Sequence, residues 1–329
     1  MRRTNKVKIL GTGSCAPKGV LRNKDFSYII DTSDEWITER TGIKERRVSC
    51  DSETTSDLAT EAARHALEMA QLSAEKLDAI IVATITPDTI FPATACYLQQ
   101  RLGCRKIPSF DILAACSGFI YGLANGIGLI ESRQMKYVLV VGAETLTKIT
   151  DYQDRNTCIL FGDGAGAVIL APSNDDSEFL SCNLYAEFDS TGMMVLPAGG
   201  SRIPATHETV NKRLHYMQLK GNEIFRFAVV EMCNMLDNEL SSNGITMNDI
   251  KYIIPHQVNL RILKAAADRF NIPMEKIYVN LDRYGNTSAA SVPLALDEAV
   301  RSGKVKRGDL LLLVAFGGGK TWASSLLRY

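Results

Sequence analysis

Three residues of this chain stand where their types and positions could do chemistry: Cys116, His256 and Asn286. Cys116 lies in Pro108-Ser109-Phe110-Asp111-Ile112-Leu113-Ala114-Ala115-Cys116-Ser117-Gly118. There a strand ends, small residues make a sharp turn, and a helix is predicted to begin at about Cys116. A thiol at that point faces the positive end of the helix dipole, which favours the thiolate. The same turn aims backbone N–H groups at an oxyanion formed beside the sulfur. The plainer reading of a free cysteine is a small buried hydrophobe, and Cys96, Cys158 and Cys233, inside apolar patterns, are read that way. His256 follows Tyr252-Ile253-Ile254-Pro255, at the carboxyl end of a buried strand, where ligands gather in open α/β sheets. His65 is mid-helix, and His207 and His215 fall in a polar connection, so these three are read as surface or structural. Asn286, in Tyr284-Gly285-Asn286-Thr287-Ser288, directly precedes a helical segment; a helix N-cap is its plainer role.

The elements that must position these residues occur twice. Asp78 to Ala83 and Ile250 to Pro255 are strand runs 172 positions apart, and Lys136 to Gly142 pairs at that offset with Gly308 to Val314. Helix-length segments, Gly118 to Ser132 and Ala289 to Ser302, precede the second strand of each pair. This shared register points to a duplicated unit. The duplication sets Thr84 opposite His256 and brings Cys116, His256 and Asn286 to one end of two central sheets. Further amphipathic helices are expected from Ser56, as cap, to Leu72, over Glu223 to Leu240, and between His256 and Phe270. Near-continuous apolar strands between helices imply mixed, mostly parallel sheets covered on both faces. The expected architecture is two similar α/β halves, 1–172 and 179–329, in a five-layer α/β/α/β/α body. The polar stretch from Ser173 to Glu178 forms the boundary.

Other signals exclude alternatives. Gly11-Thr12-Gly13-Ser14-Cys15-Ala16 fits the dinucleotide pattern G-x-G-x-x-A, but Pro17 and Gly19 interrupt the helix that must follow it. Phe161-Gly162-Asp163-Gly164-Ala165-Gly166 lacks the Lys-Ser/Thr ending of a phosphate loop and reads as a tight turn with close backbone packing. The four histidines include no H-x-H or H-E-x-x-H spacing, so no metal site is expected. With 37 basic and 37 acidic residues the chain is neutral, which disfavours a nucleic-acid or membrane-surface partner. Met1-Arg2-Arg3 precedes only a short apolar run, Val7 to Leu10, too short for a signal-peptide core, and no later run reaches the ~18 residues of a membrane span. Eight cysteines without a Cys-x-x-Cys pair, in 329 residues, suit a reduced, cytoplasmic setting.

Several segments together resemble the signature regions of the β-ketoacyl-acyl-carrier-protein synthase III family of thiolase-like condensing enzymes. They are Ala114 to Phe119, Pro255-His256-Gln257-Val258-Asn259-Leu260-Arg261-Ile262, Tyr284 to Ser291, and Phe316-Gly317-Gly318-Gly319. Asp34-Glu35-Trp36-Ile37, Arg40-Thr41-Gly42-Ile43 and Phe161 to Gly166 extend the likeness over nearly the whole chain. The resemblance implies a duplicated thiolase fold, a homodimer, and no cofactor beyond acyl-CoA as substrate. It implies that a short acyl group is loaded onto Cys116 and condensed with malonyl-acyl-carrier protein, initiating fatty acid synthesis.

By the same resemblance, His256 and Asn286 bind the malonyl thioester carbonyl during decarboxylation, and the N–H groups of Cys116 and Gly318 form the oxyanion hole. Trp36, Arg40 and Arg155 match the coenzyme A site. Phe91 and Phe161 match the acyl pocket, Phe91 reaching into that of the partner. Arg226, Arg261 and Lys264 match or neighbour the basic surface for the acidic carrier protein. Departures are Lys320, where a bulky apolar residue is usual, Ala323 for glycine, Val258 for alanine, and Cys15-Ala16-Pro17 in the first loop. Lys320 bears on the pocket mouth and hence on the primer. An elongating ketosynthase would carry a second histidine at 286, and a degradative thiolase a late cysteine; the last cysteine here is Cys233. A relative that makes a quinolone, pyrone or ester with the same triad is the alternative.

Overall fold

The computed structural model describes residues 6–329, so the basic tripeptide at the amino terminus lies outside the described residues. Two large sheets dominate. The first has strand order Val7–Cys15, Asp163–Pro172, Val138–Thr145, Ala79–Ala83, Ser109–Ile112. The second runs Glu178–Ala186, Thr321–Arg328, Leu310–Gly317, Tyr252–Pro255. Beyond Tyr252–Pro255 a single parallel bridge, Ile253 to Ile277, stands where the first sheet has Ser109–Ile112. The two sheets therefore repeat one topology, with the fifth strand of the second reduced to one pairing. Both are mixed, and the antiparallel share exceeds what near-continuous apolar runs imply. Four of seven pairings are antiparallel and three parallel. The reason is that Asp163–Pro172 and Thr321–Arg328 each pair antiparallel with both neighbours, and apolar runs report burial rather than strand direction.

Alternation along the strands builds the layers. Ile81, Val140, Leu311 and Leu313 turn inward, onto Phe119, Ile120, Leu123, Val292 and Leu296 of the helices Gly118–Glu131 and Ser291–Arg301. Ile80, Val82, Leu139 and Val141 turn outward, onto the helix Thr55–Ala70. Leu312 and Val314 do the same toward Gly221–Asn243 and Leu260–Phe270. The result is helix, sheet, paired central helices, sheet, helix. The helix at 55 is capped by Thr54, whose hydroxyl accepts from the Asp57 N–H in a capping box; Ser56, expected as the cap, donates instead to Asp88. No described helix is long and apolar enough to cross a membrane.

Glycine sets how closely these layers approach. Gly118, Gly122 and Gly126 form one face of the central helix, where a Cβ would meet Ala83, Val140 and Leu170 at 3.0, 2.8 and 2.7 Å. A Cβ on Gly11 or Gly13 would lie 2.5 or 2.2 Å from the carbonyls of Ala66 or Ala62. The dinucleotide-like motif is thus a strand packed on a helix backbone. Phe161 to Gly166 serves the same purpose within a strand start rather than a turn, where a Cβ added to Gly166 would lie 2.5 Å from the Leu294 nitrogen. Gly142 is tightest at the centre, 2.2 Å from the Ala289 oxygen for an added Cβ. We expect Gly142→Ala to cost about 3 kcal/mol, because backbone must move. Gly128→Ala, in the helix Gly118–Glu131, where an added Cβ meets nothing within 4 Å, should gain up to about 1 kcal/mol from helix propensity. Denaturant unfolding of the two variants checks this opposite pair of signs.

Candidate active site

Cys116 occupies a short 3-10 turn, Ala115–Ser117, and the α-helix proper starts at Gly118. The turn is forced: Ala115 sits at φ +45, a region that costs a non-glycine residue about 1–2 kcal/mol. The equivalent residue of the second repeat, Ser288, sits at φ +48 in its own 3-10 turn, Ser288–Ala290. Thr321 holds the first turn to the hairpin that follows Gly317. Its hydroxyl donates to the Ala114 carbonyl at 2.9 Å, and the Ser117 hydroxyl lies 2.9 Å from it. Gly317 packs so closely that a Cβ would stand 2.6 Å from the Cys116 nitrogen. This contact brings Gly318 beside the sulfur, and the N–H groups of Cys116 and Gly318 both act on the thiol.

Ser288 is where the three expected residues meet. Its side chain interacts with the Cys116 thiol, and its N–H donates to Asn286 Oδ1 at 2.9 Å. Its carbonyl accepts from the Ser291 hydroxyl at 2.7 Å, and Ser291 Oγ lies 2.7 Å from His256 Nδ1. Asn286 is therefore no helix cap, since the helix begins at Ser291. It closes the preceding turn with its oxygen, which leaves its amide N–H groups to donate elsewhere. Its backbone is fixed from both sides by Leu160 O at 2.9 Å and Gly162 N at 3.0 Å. Because the Ser291 hydrogen is committed to Ser288, Ser291 accepts from His256 Nδ1–H, and Nε2 of the neutral ring carries a lone pair. Phe316 stands edge-on to the imidazole at 5.5 Å. Gln257 pins the loop behind it, donating to Pro255 and Tyr278 carbonyls at 2.9 Å and accepting from the Asn280 N–H at 3.0 Å.

Burial governs the charges here. Cys116, His256 and Asn286 are 3%, 1% and 1% exposed. Burial pushes the Cys116 thiol up to about 12, against the pull of Ser288 and the two N–H groups. The lowering expected from the helix start does not prevail in the resting site, because an anion enclosed among apolar groups loses more hydration than the turn restores. Burial likewise pushes His256 down to about 3, so the ring is neutral. Sequence reasoning missed Glu144, fully buried and raised by burial to about 7. Its signal was an acid directly following the apolar run Val138 to Ala143 of the strand Val138–Thr145.

The remaining candidates separate into groups. Trp36, half-buried, carries the Arg155 guanidinium at 4.0 Å and that of Arg40 at 4.7 Å from its ring centre. Trp36 and Arg40 line a cavity of about 640 Å³ together with Arg226, Arg261, Asn259 and Leu160. Its wall reaches the triad through the Leu160 carbonyl that holds Asn286. Lys264 is exposed on the same helix as Arg261, outside that lining. Among the described residues no carboxylate forms an ion pair with Arg226, Arg261 or Lys264. Phe161 is buried and bridges to Asn286, whereas Phe91 is 85% exposed in the single chain. Lys320 turns back along the hairpin to Glu187, 3.4 Å away, and Ala323 is fully buried in the strand. A second cavity, of about 650 Å³ and lined by Asp249, Lys251 and Lys276, lies at the opposite ends of the strands, away from this chemistry. Among the described residues no three His, Cys, Asp or Glu side chains converge as metal ligands.

Residues 110–187 match the family model described as 3-oxoacyl-[acyl-carrier-protein] synthase III, and residues 240–329 match its C-terminal counterpart. The β-ketoacyl-[acyl-carrier-protein] synthase III of Caldanaerobacter subterraneus is 53% identical, over 98% of this chain and 97% of that one. The enzyme of the same name from Xanthomonas campestris is 52% identical, over 98% of each. The crystal structure of 3-oxoacyl-[acyl-carrier-protein] synthase III from Aquifex aeolicus superposes with a TM-score of 0.90 at 49% identity, covering 98% of this chain and 100% of that one.

The shifts of His256 and Glu144 affect stability with opposite signs. His256 titrates near 6.5 unfolded and about 3 folded, so its neutral folded form loses stability as pH falls below 6.5. Glu144 titrates near 4.5 unfolded and about 7 folded, so its protonated folded form gains stability as pH falls from 7 to 4.5. The two offset each other between about pH 4.5 and 6.5. Relative to wild type, Glu144→Gln should therefore lose about 1.4 kcal/mol per pH unit across that window, and His256→Gln should gain a similar amount. Urea unfolding at pH 6.5 and 5 measures both slopes.

Proposed function

This chain belongs to the 3-oxoacyl-[acyl-carrier-protein] synthase III family and is a condensing acyltransferase, and we propose from that premise that Cys116, His256 and Asn286 carry out its two half-reactions. Cys116 takes a short acyl group from acyl-CoA, with the N–H groups of Cys116 and Gly318 stabilising the oxyanion. Malonyl-acyl-carrier protein then replaces coenzyme A. Carbon dioxide leaves, negative charge builds on the malonyl thioester oxygen, and Asn286 and His256 bind that oxygen. The carbanion attacks the acyl-Cys116 thioester to give β-ketoacyl-acyl-carrier protein, the first product of fatty acid synthesis. Acyl-CoA is a substrate, and the chemistry asks for no further cofactor.

The observation that carries this reading is the enclosed Ser288 turn, which ties the thiol, the amide and, through Ser291, the imidazole into one network. Asn286 has its oxygen occupied and its N–H groups free to donate, which is what a developing oxyanion needs. His256 supplies a donor to that oxygen only when Nε2 carries a proton, so the second half-reaction uses the other neutral tautomer, in which Nδ1 accepts from the Ser291 hydroxyl. Trp36 beside two guanidiniums suits the adenine and phosphates of coenzyme A. Unpaired Arg226, Arg261 and Lys264 suit an acidic carrier protein. Phe91, Ile90 and Leu113, at 85%, 83% and 79% exposure, form apolar surface that suits a homodimer in which Phe91 closes the partner's acyl pocket, beside Phe161. Identity of about half over nearly the whole chain to synthases of that name favours fatty acid initiation over the quinolone-, pyrone- or ester-forming alternative. We place the protein in the cytoplasm, with its substrates.

With acetyl-CoA and malonyl-acyl-carrier protein, the purified protein should release carbon dioxide and form acetoacetyl-acyl-carrier protein. Asn286→Ala should slow decarboxylation about 10²–10³-fold, the usual effect of losing one oxyanion donor, while Cys116 still accepts the acyl group. Product mass and labelled carbon dioxide release measure the two steps separately. Normal decarboxylation by Asn286→Ala would reduce that residue to closing its own turn.

A further inference from the structure

Behind Cys116 lies a buried acid that the two half-reactions above leave unused. Glu144 is the next-to-last residue of the central strand Val138–Thr145, and every group facing its carboxyl offers a hydrogen. Thr86 donates its hydroxyl at 2.6 Å and its N–H at 3.1 Å, Thr84 its hydroxyl at 3.1 Å, and Ile85 its N–H at 3.1 and 3.2 Å. The remaining neighbour is Ser288, whose hydroxyl interacts with Glu144 on one side and Cys116 on the other. Ser288 Oγ is fully enclosed and forms no close hydrogen bond at rest. Its backbone is nonetheless held at φ +48 by Asn286 and Ser291, which keeps the hydroxyl enclosed near both groups. An orphaned hydroxyl in a strained turn is unusual in a closed core.

We propose that Glu144, acting through the Ser288 hydroxyl, takes the Cys116 proton during acyl loading and returns it when the thiolate is released. The inference rests on Cys116 being the acylated nucleophile. In loading, the thiol proton passes to Ser288 Oγ as the Ser288 proton passes to the Glu144 carboxylate, and the sulfur attacks the acyl-CoA carbonyl. The C–S bond to coenzyme A breaks, and the departing thiolate takes a proton from water. In condensation, carbon dioxide leaves, the malonyl-derived carbanion attacks the acyl thioester, and the Cys116 thiolate is expelled. Glu144 then reprotonates that thiolate through Ser288. One proton is drawn from solvent per turnover, as decarboxylative condensation requires.

Charge decides between the two possible acceptors. Transfer to His256 would create an imidazolium beside a thiolate, two new charges in an enclosed site, from a ring that burial holds near 3. Transfer to Glu144 moves one existing negative charge a short way and leaves the total unchanged. The titratable groups around this cluster are Cys116, Glu144 and His256. The Thr84–Thr86 loop contributes only hydroxyl and N–H groups to the carboxyl.

Single-turnover loading from acetyl-CoA, quenched and read by intact and peptide mass, tests the path. Wild-type loading should rise with pH to about 7, where Glu144 ionises, and then stay flat. Ser288→Ala and Glu144→Gln should load about a hundredfold more slowly at pH 7.5, and their remaining rate should climb about tenfold per pH unit as free thiolate forms. Ser288→Ala keeps the buried carboxyl and its Thr84–Thr86 contacts, so it carries the test should Glu144→Gln fold poorly. Two outcomes overturn the proposal: loading by Ser288→Ala within twofold of wild type, or a Glu144→Gln protein that loads faster, as loss of mere repulsion would give. A wild-type protein that takes no label on Cys116 would instead remove the reading of the nucleophile itself.

Discussion

The site depends on one constraint, the contact of two equivalent turns where the repeats cross. Ala115 leads one turn and Ser288 the other, both at positive φ, and Gly142 and Gly118 let the second turn approach the first sheet. Were Gly142 to carry a side chain, it would occupy the place of the Ala289 carbonyl. The strain at both turns persists because closely packed strands and helices over-determine it. Duplication supplies the elements, but it is this crossing that joins Cys116 to His256 and Asn286, 140 and 170 positions away in sequence.

The repeats have diverged in chemistry while keeping geometry. After one central strand stands Thr84, after its equivalent His256; one turn carries Cys116, the other Ala289. Glu144 is the next-to-last residue of one middle strand and Phe316 of its equivalent, so an acid lies behind Cys116 while an aromatic ring braces the histidine. The same burial acts differently on each group. It raises Cys116 and Glu144, lowers His256, and so keeps the resting site with a protonated thiol and a neutral ring.

Much of this was legible in the sequence. The 172-residue register forecast two like sheets, because side-chain alternation and helix length survive duplication even where residue identity does not. The interrupted helix at Pro17 argued against a nucleotide site, and the close packing of Gly11 and Gly13 on a helix backbone gives the motif a separate physical reason. Strand direction was less legible, since a buried strand looks apolar whichever way it runs. The resting thiol was also misjudged: a helix start is visible in sequence, whereas the degree of burial that outweighs it is a property of the assembled core. Ser288 and Ser291 lay within a recognised motif but carried no separate signal, because their importance comes from backbone geometry and partners, not residue type.

Both half-reactions turn on where the acyl group goes. Exposing the protein to acetyl-CoA without malonyl-acyl-carrier protein, then mapping adducts by peptide mass, should find one acetyl group per chain, on the peptide containing Cys116. Exposed Cys50 serves as the internal reference for adventitious acylation. An adduct confined to another residue, or a Cys116→Ala protein that acquires the same adduct, would contradict the assignment of Cys116 as the nucleophile.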